Sequence, residues 1–335
     1  MAAAEHDDQV GKTGMQRRTL ALSIAALLLA WAAPAAAQTG ARPVRIMVPF
    51  SPGSQTDLVA RLIAKSLEQH LEQPVIVENR PGAAGTVAAQ AVLAQPADGH
   101  TLMMVSSAYA VLAASGRKLP YSPERDFDIV GVVARSANVL IASKASGFRT
   151  VAEIVAAGKA AGRPALNFGS SGVGSGTHLN AEYFATATGI RTVHIPLKGG
   201  PEILNEVMSG RVEFAFVPPS QVLSSGTERL SMLGITGQKR VRQLPDVPTV
   251  NEAGVKGFEY YLWYALMQKS GTPPAAAQRL SVALARSLVD PAVMQPFDSL
   301  GIEGMRLNLE AARGFMRTEI AANKSLIQSR GLQIE

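Results

Sequence analysis

The sequence predicts an α/β protein built as two lobes. Three observations carry this reading. One β-α-β-α-β pattern is written twice in 335 residues. In each copy the first strand runs into a loop rich in glycine, serine and threonine that leads directly into a helix. The tail after the second copy reads as helices, and such tails commonly pack back on the first lobe, so the chain is expected to cross between lobes twice.

The first copy begins with Val44, Ile46 and Val48 alternating with Arg45 and Met47, the period of a strand. After the loop 50–56, Leu58, Val59, Leu62, Ile63 and Leu67 recur at helical spacing, and Gln73-Pro74 ends the helix. Residues 75–77 read as a short buried strand, 82–94 as a second helix, Asp98-Gly99 as a turn and 102–105 as a third strand. The second copy opens with a strand at 165–168. Leu179, Tyr183, Phe184 and Ala187 then mark a helix face, with Thr177 as the expected N-cap and Gly189 as the stop. A strand at 193–195 follows. Gly200-Pro201 opens a helix carrying Ile203, Leu204 and Val207, Gly210 ends it, and 212–217 forms the third strand. Alternation of this kind predicts parallel sheets with helices on both faces.

The stretch 221–260 shows no regular period. From 274 to 333 the chain is helical, with Leu280, Leu284 and Leu288 on one face and Met316, Ile320 and Ile327 on another. Phe258, Tyr260, Tyr261, Trp263 and Tyr264 cluster in a chain with only 5% aromatic residues, and packing at a crossover between lobes is their expected role.

Composition narrows the function. With no cysteine there is no disulfide framework, thiolate chemistry or cysteine-ligated metal. The net charge of +6 is spread without a long run of Lys or Arg, so no nucleic-acid partner is expected. Arg17-Arg18, the charge-free run from Leu20 to Trp31 and Ala35-Ala36-Ala37 before Gln38 have the layout of a cleaved secretory signal. Residues 1–37 are therefore expected to be an extension plus signal peptide, with Met1 or Met15 as the start and the protein exported to the periplasm. The acidic Glu5, Asp7 and Asp8 balance Lys12, Arg17 and Arg18, so cleavage leaves the net charge unchanged.

In open α/β sheets ligands sit beyond the carboxyl ends of strands. Two Gly/Ser/Thr loops facing each other there, "PFSPGSQTD" and "NFGSSGVGSGTHL", present two helix N-termini to one ligand, and unpaired backbone N–H groups favour an anion. The second loop fits no nucleotide motif: Ser175 stands where a P-loop needs lysine, and Thr177 where a dinucleotide fingerprint needs glycine. A nucleophile elbow fails at Val173, and no local signal marks a Ser-His-Asp set, so an enzyme is not expected; an exported serine hydrolase acting through Ser171 or Ser175 is the reading this sets aside. His178 and Glu182 stand i, i+4 without a second histidine, so no metal is expected; His194 reads as a satisfied core residue. Lys198-Gly199 offers either an ammonium near the cleft or an ordinary turn. No cofactor is implied.

The motifs resemble the extracytoplasmic solute receptors of tripartite tricarboxylate transporters, the Bug receptors. The residues are Val48-Pro49-Phe50-Ser51-Pro52-Gly53 with Thr56-Asp57, Val77-Glu78-Asn79-Arg80-Pro81-Gly82 with Gly85, Asp98-Gly99-His100-Thr101-Leu102, and Leu119-Pro120-Tyr121 with Asp126-Phe127. Further on come Asn167-Phe168-Gly169-Ser170 with Thr177-His178-Leu179, Lys198-Gly199, Leu244-Pro245-Asp246-Val247-Pro248-Thr249 with Glu252-Ala253-Gly254, and Gly271-Thr272-Pro273-Pro274. The resemblance implies a two-lobed periplasmic binding protein of type II, with 41–139 plus 261–335 as one lobe and 140–260 as the other. It closes as a monomer on a small organic carboxylate held by uncharged donors, and hands it to membrane subunits or, alternatively, to a membrane sensor. Carried over, the ligand site comprises Phe50, Ser51, Gly53, Ser54, Gln55, Thr56, Asp57, Ser106 and Ser107, facing Ser170, Ser171, Gly174, Thr177, His178, Lys198, Gly199 and Val217. Relatives commonly show Pro-Gly-Gly-Ala where Pro52-Gly53-Ser54-Gln55 stands, and often Phe-Asp-Asn where Phe216-Val217-Pro218 stands. With Val217 in that wall, a ligand without an amino group is expected.

Overall fold

The computed structural model describes residues 42–224 and 228–334, so the predicted signal segment lies outside the described residues. The chain begins with β1 (Val44–Val48), α1 (Gln55–Leu71), β2 (Val75–Asn79), a 3-10 turn over Ala83–Gly85, α2 (Thr86–Leu93), β3 (Thr101–Ser106) and α3 (Ser107–Ala114). Two strands outside the repeated pattern follow, β4 (Phe127–Ala137) and β5 (Val139–Ser143), with α4 (Val151–Lys159) after them. The second copy supplies β6 (Leu166–Ser170), α5 (Gly176–Thr188), β7 (Thr192–Pro196), α6 (Gly200–Ser209), β8 (Phe214–Val217) and α7 (Pro219–Ser224). The chain ends with β9 (Leu230–Ile235), β10 (Tyr261–Lys269), α8 (Pro274–Ser287), α9 (Pro291–Ser299), the short β11 (Glu303–Gly304) and α10 (Leu309–Arg330).

These strands make two sheets within one compact unit, Arg42–Glu335. One has the order β11-β4-β10-β3-β1-β2, the other β7-β6-β8-β5-β9. Among the strands, parallel pairing falls in the repeated units: β1 pairs both β2 and β3, and β6 pairs both β7 and β8. The sheets as wholes are mixed rather than mostly parallel, because β10 enters the first sheet antiparallel between β3 and β4, and β5 enters the second antiparallel between β8 and β9. Those strands lie on the crossovers, where no helix intervenes to reverse the chain.

Alternation along each strand builds a core on both faces. Val44, Ile46 and Val48 pack with Ile63 and Leu67 of α1 and with Leu280, Leu284 and Phe297, while Met47 joins Val92, Tyr109 and Met316 on the other side. In the second lobe Phe214 and Phe216 meet Ile154 and Phe184, while Ala215 and Val217 meet Ile203 and Val207. Each such side chain, fully buried, contributes about 1.5–3 kcal/mol relative to exposure.

Capping sets several boundaries. The second copy's first helix starts at Gly176 rather than at a Thr177 cap: Ser175 is the N-cap, its hydroxyl accepting from the His178 N–H at 3.2 Å. The expected Gly189 stop adopts a left-handed φ of 69°, which glycine tolerates at little cost. The helix expected from 82 begins as an α-helix only at Thr86, because Gly82 and Gly85 take φ of 133° and 95°.

The crossovers are tied to each other. Asn138 is the single residue between β4 and β5, and Thr236 follows β9. The Asn138 N–H donates to Thr236 Oγ1 at 2.8 Å and the Thr236 N–H to the Asn138 carbonyl at 2.9 Å. Thr236 Oγ1 donates to the Tyr260 carbonyl at 2.6 Å, and the Tyr260 N–H returns to the Thr236 carbonyl at 2.9 Å. Asn138 Nδ2 also donates to Asn180 Oδ1 in α5 at 2.8 Å. Asn138, Asn180 and Thr236 are all fully buried. The aromatic cluster surrounds this junction as expected, with Tyr260 packed between the first and second lobes' cores.

Replacing Asn138 with alanine leaves the Asn180 side-chain oxygen, Oδ1, buried and unpaired. The expected loss is about 1–3 kcal/mol of unfolding free energy, read from urea unfolding at an unchanged denaturant slope.

Candidate functional site

The site is built from helix beginnings. The first N–H groups of a helix have no partner inside it and carry its positive dipole end. Four helices here start beside the carboxyl ends of β1, β3, β6 and β7: α1, α3, α5 and α6. A Cβ added to Gly176, the first residue of α5, lies 2.4 Å from Ser107 Oγ and 2.2 Å from Leu262 Cδ2. Ser107 is the first residue of α3, so the beginnings of two helices from opposite lobes meet there.

On the first-lobe side, Ser54 caps α1 by accepting from the Asp57 N–H at 3.3 Å. Burial by itself raises the Asp57 carboxyl, but hydrogen bonds from Arg61, the Gly53 N–H and Asn79, with the Arg61 charge, outweigh it and hold the group below its usual range. The same bonds fix the loop: Gly53 N–H to Oδ2 at 3.0 Å, Asn79 Nδ2 to Oδ1 at 2.8 Å and on to the Phe50 carbonyl at 3.0 Å. Asp57 is thus a brace for the loop, with both oxygens occupied. Ser51 and Gly53 stay exposed, Thr56 is buried and Ser106 half-buried. Gln55 is 8% exposed, yet neither its Nε2 nor its Oε1 has a partner. Ser107 is 2% exposed and its Oγ has none either.

On the second-lobe side, the loop after β6 is tied to two histidines. His178 Nδ1 accepts from the Gly174 N–H at 3.1 Å, and His194 Nε2 meets Ser170 Oγ at 2.6 Å. The imidazoles stack on each other at 3.9 Å, and Phe168 stacks against His194 at 4.9 Å. Burial lowers His178 to about 3, with the neighbouring His194 adding to it, and burial lowers His194 to about 4. Both rings are therefore neutral near pH 7, as an acceptor from Gly174 requires. His194 is half-buried on the edge strand β7 rather than in the core, and its partner is Ser170. The Ser171 N–H donates to Thr177 Oγ1 at 3.0 Å, which closes the loop on itself. Glu182, one turn beyond His178, accepts from Arg330 of α10 at 3.1 Å, so this pair belongs to a link with the C-terminal helix. Among the described residues no group of three His, Cys, Asp or Glu is placed to hold a metal.

Two expectations change. Val217 is fully buried among Ile203, Val207 and Val139, so it faces the second-lobe core and walls no cleft. Lys198 and Gly199 lead into α6, but Lys198 is exposed and its N–H is taken by Glu202 Oε2 at 2.7 Å. Ser175 caps a helix, and Ser170, the serine that does contact a histidine, is fully buried and bonded to Gly172. Gln221 was missed by sequence reasoning: a Cβ on Gly200 would overlap its carboxamide at 2.2 Å, so it covers the start of α6 with Oε1 unpartnered. Asn138 was missed as well, although a lone amide between two apolar strands is a readable signal.

The family profile described as the tripartite tricarboxylate transporter family receptor matches residues 59–332. Protein BugT of Bordetella pertussis is 31% identical over 309 residues, covering 91% of this chain and 94% of BugT. The solved structure of R. palustris Rpa4515 with adipate is 31% identical with a TM-score of 0.79, covering 87% of this chain and 98% of that one. MatC from Rhodopseudomonas palustris, solved with bound malate, is 27% identical with a TM-score of 0.75, covering 86% and 99%.

Two measurements check this geometry. Because both histidines titrate below their unfolded value of about 6.5, the unfolded chain binds protons that the folded chain does not. The stability tied to neutral imidazoles is complete above that value and is lost as pH falls toward about 4 for His194 and about 3 for His178. The melting temperature is expected to drop across that window, and His194→Gln to flatten the slope. Gly176→Ala forces a methyl against Leu262 and Ser107; an overpacking loss of about 1–3 kcal/mol is expected in chemical unfolding.

Proposed function

This chain belongs to the tripartite tricarboxylate transporter receptor family, whose members are periplasmic solute-binding proteins, and we propose that it captures a small organic carboxylate between its lobes and delivers it to the membrane subunits of such a transporter. The observation that carries the reading is the meeting of the α3 and α5 N-termini, with Ser107 and Gln55 buried and unpartnered beside helix starts. Buried polar atoms in folded proteins almost always have partners, and an anionic ligand supplies an acceptor for the Ser107 hydroxyl and for Gln55 Nε2 while occupying free backbone N–H groups. The contacts on the ligand are backbone N–H groups, Ser107 and Gln55, with the loops 50–57 and 170–178 as the walls. Asp57 has both oxygens engaged and offers no counter-charge to an ammonium group, which favours acids without an amino group. The adipate and malate held by Rpa4515 and MatC support the same class. Export to the periplasm through the predicted signal segment fits this role.

A thermal-shift panel of carboxylates tests it. Mono- or dicarboxylic acids are expected to raise the melting temperature by several degrees at saturation, with glutamate and aspartate giving no response. A flat response to every acid would overturn the reading. Gln55→Ala and Ser107→Ala are each expected to weaken the acid that binds by roughly 5- to 30-fold, about 1–2 kcal/mol. The ligand-free melting temperature should hold or rise, because an unpartnered buried group is removed.

A further inference from the structure

A cavity of about 660 Å³ lies between α10 and the second crossover, and its lining includes none of the loops assigned to the carboxylate. That is an ordinary size for a small-molecule site. Both lobes contribute. Tyr183 of α5 and Tyr260 form one wall, with ring centroids 6.1 Å apart. Phe315 and Glu319 of α10 form the other, Phe315 standing edge-on to Trp263 at 5.5 Å.

The charges in this cavity are unequal in availability. Arg135 at the rim is paired with Glu303 at 2.9 Å and lies 4.1 Å over the Tyr261 ring. Glu259 accepts from Gln238 at 2.8 Å. Glu319 accepts from Trp263 Nε1 at 2.7 Å through Oε2, and its other oxygen has no protein partner among the described residues. Trp263 is only 1% exposed, so its role is to hold that carboxylate in place. Burial pushes the Glu319 carboxyl up, the cost of a charge facing a largely aromatic cavity. An anion would add to that cost, and a neutral apolar occupant would leave the free oxygen unpaired. A cation removes it, and aromatic faces attract cations, as the Arg135–Tyr261 contact already does at the rim.

We infer that this cavity is a second ligand site, for an organic ammonium ion whose nitrogen meets the free oxygen of Glu319 and whose carbon groups lie against Tyr183, Tyr260 and Phe315. The site is independent of the carboxylate cleft and does not rest on the function proposed for it.

Tetramethylammonium chloride titrated into the full chain tests this, with sodium chloride at equal ionic strength as the reference. A Trp31→Phe background leaves the Trp263 indole N–H as the only indole resonance, and that proton is bonded to Glu319. A saturable shift of this resonance with the ammonium salt, and none with sodium, is expected. Glu319→Gln should weaken it tenfold or more. Ala322→Arg, at an exposed position of α10 on the cavity rim, should weaken it as well by bringing a like charge over the mouth, and it guards against a Glu319 variant that fails to fold. Absence of a saturable shift, an equal shift with sodium, or unchanged binding in the folded Glu319→Gln or the Ala322→Arg protein would overturn the inference.

Discussion

The arrangement of this molecule depends on a short ladder of buried hydrogen bonds through Thr236. Its backbone and hydroxyl bind Asn138 on one crossover and Tyr260 on the other, so the two passages between lobes behave as one joint. Breaking a hydrogen bond between buried groups costs about 1–3 kcal/mol. The joint therefore has few acceptable geometries. Asn138 extends it to Asn180 inside α5, which carries the loop that faces the first lobe. Helix starts on separate sheets are thereby held at the distance where Gly176 meets Ser107.

Glycine is required at that meeting for lack of space rather than for backbone freedom. Gly176 has no Cβ to clash with Leu262 and Ser107. Gly174 differs: its φ of 74° is left-handed, and it turns an N–H back onto His178. Around it the loop is stiffened from below by stacked neutral imidazoles and from the side by α10, whose Arg330 reaches Glu182 and whose trailing Ile334 lies beside Gly174. A rigid loop loses little entropy when a ligand arrives, and preorganisation of this kind improves affinity without adding contacts.

Much of the fold was legible because the repeated units obey local rules. Alternating Val44, Ile46 and Val48, the helical spacing of Leu58 to Leu67 and the stop at Gly189 each follow from nearby residues. The strands β4, β5, β9 and β10 were not legible in the same way. Their antiparallel placement depends on partners far away in the chain, as Trp263 opposite Arg135 shows. The two cleft loops were readable as a pair from composition. Which of their side chains are occupied was not: Asp57 turned inward as a brace, Thr177 closed its own loop, and Val217 entered the core through strand alternation.

By itself the sequence determined the two α/β lobes and the doubled strand-loop-helix unit, because each arises from spacing and backbone chemistry within about twenty residues. Only the tertiary structure decided which polar groups remain without partners. Ser107 is buried against Gly176 of the other lobe, Gln55 is buried with neither end of its amide paired, and Trp263 engages only one oxygen of Glu319. Satisfaction of a hydrogen bond is a property of two groups brought together, and no stretch of sequence contains both.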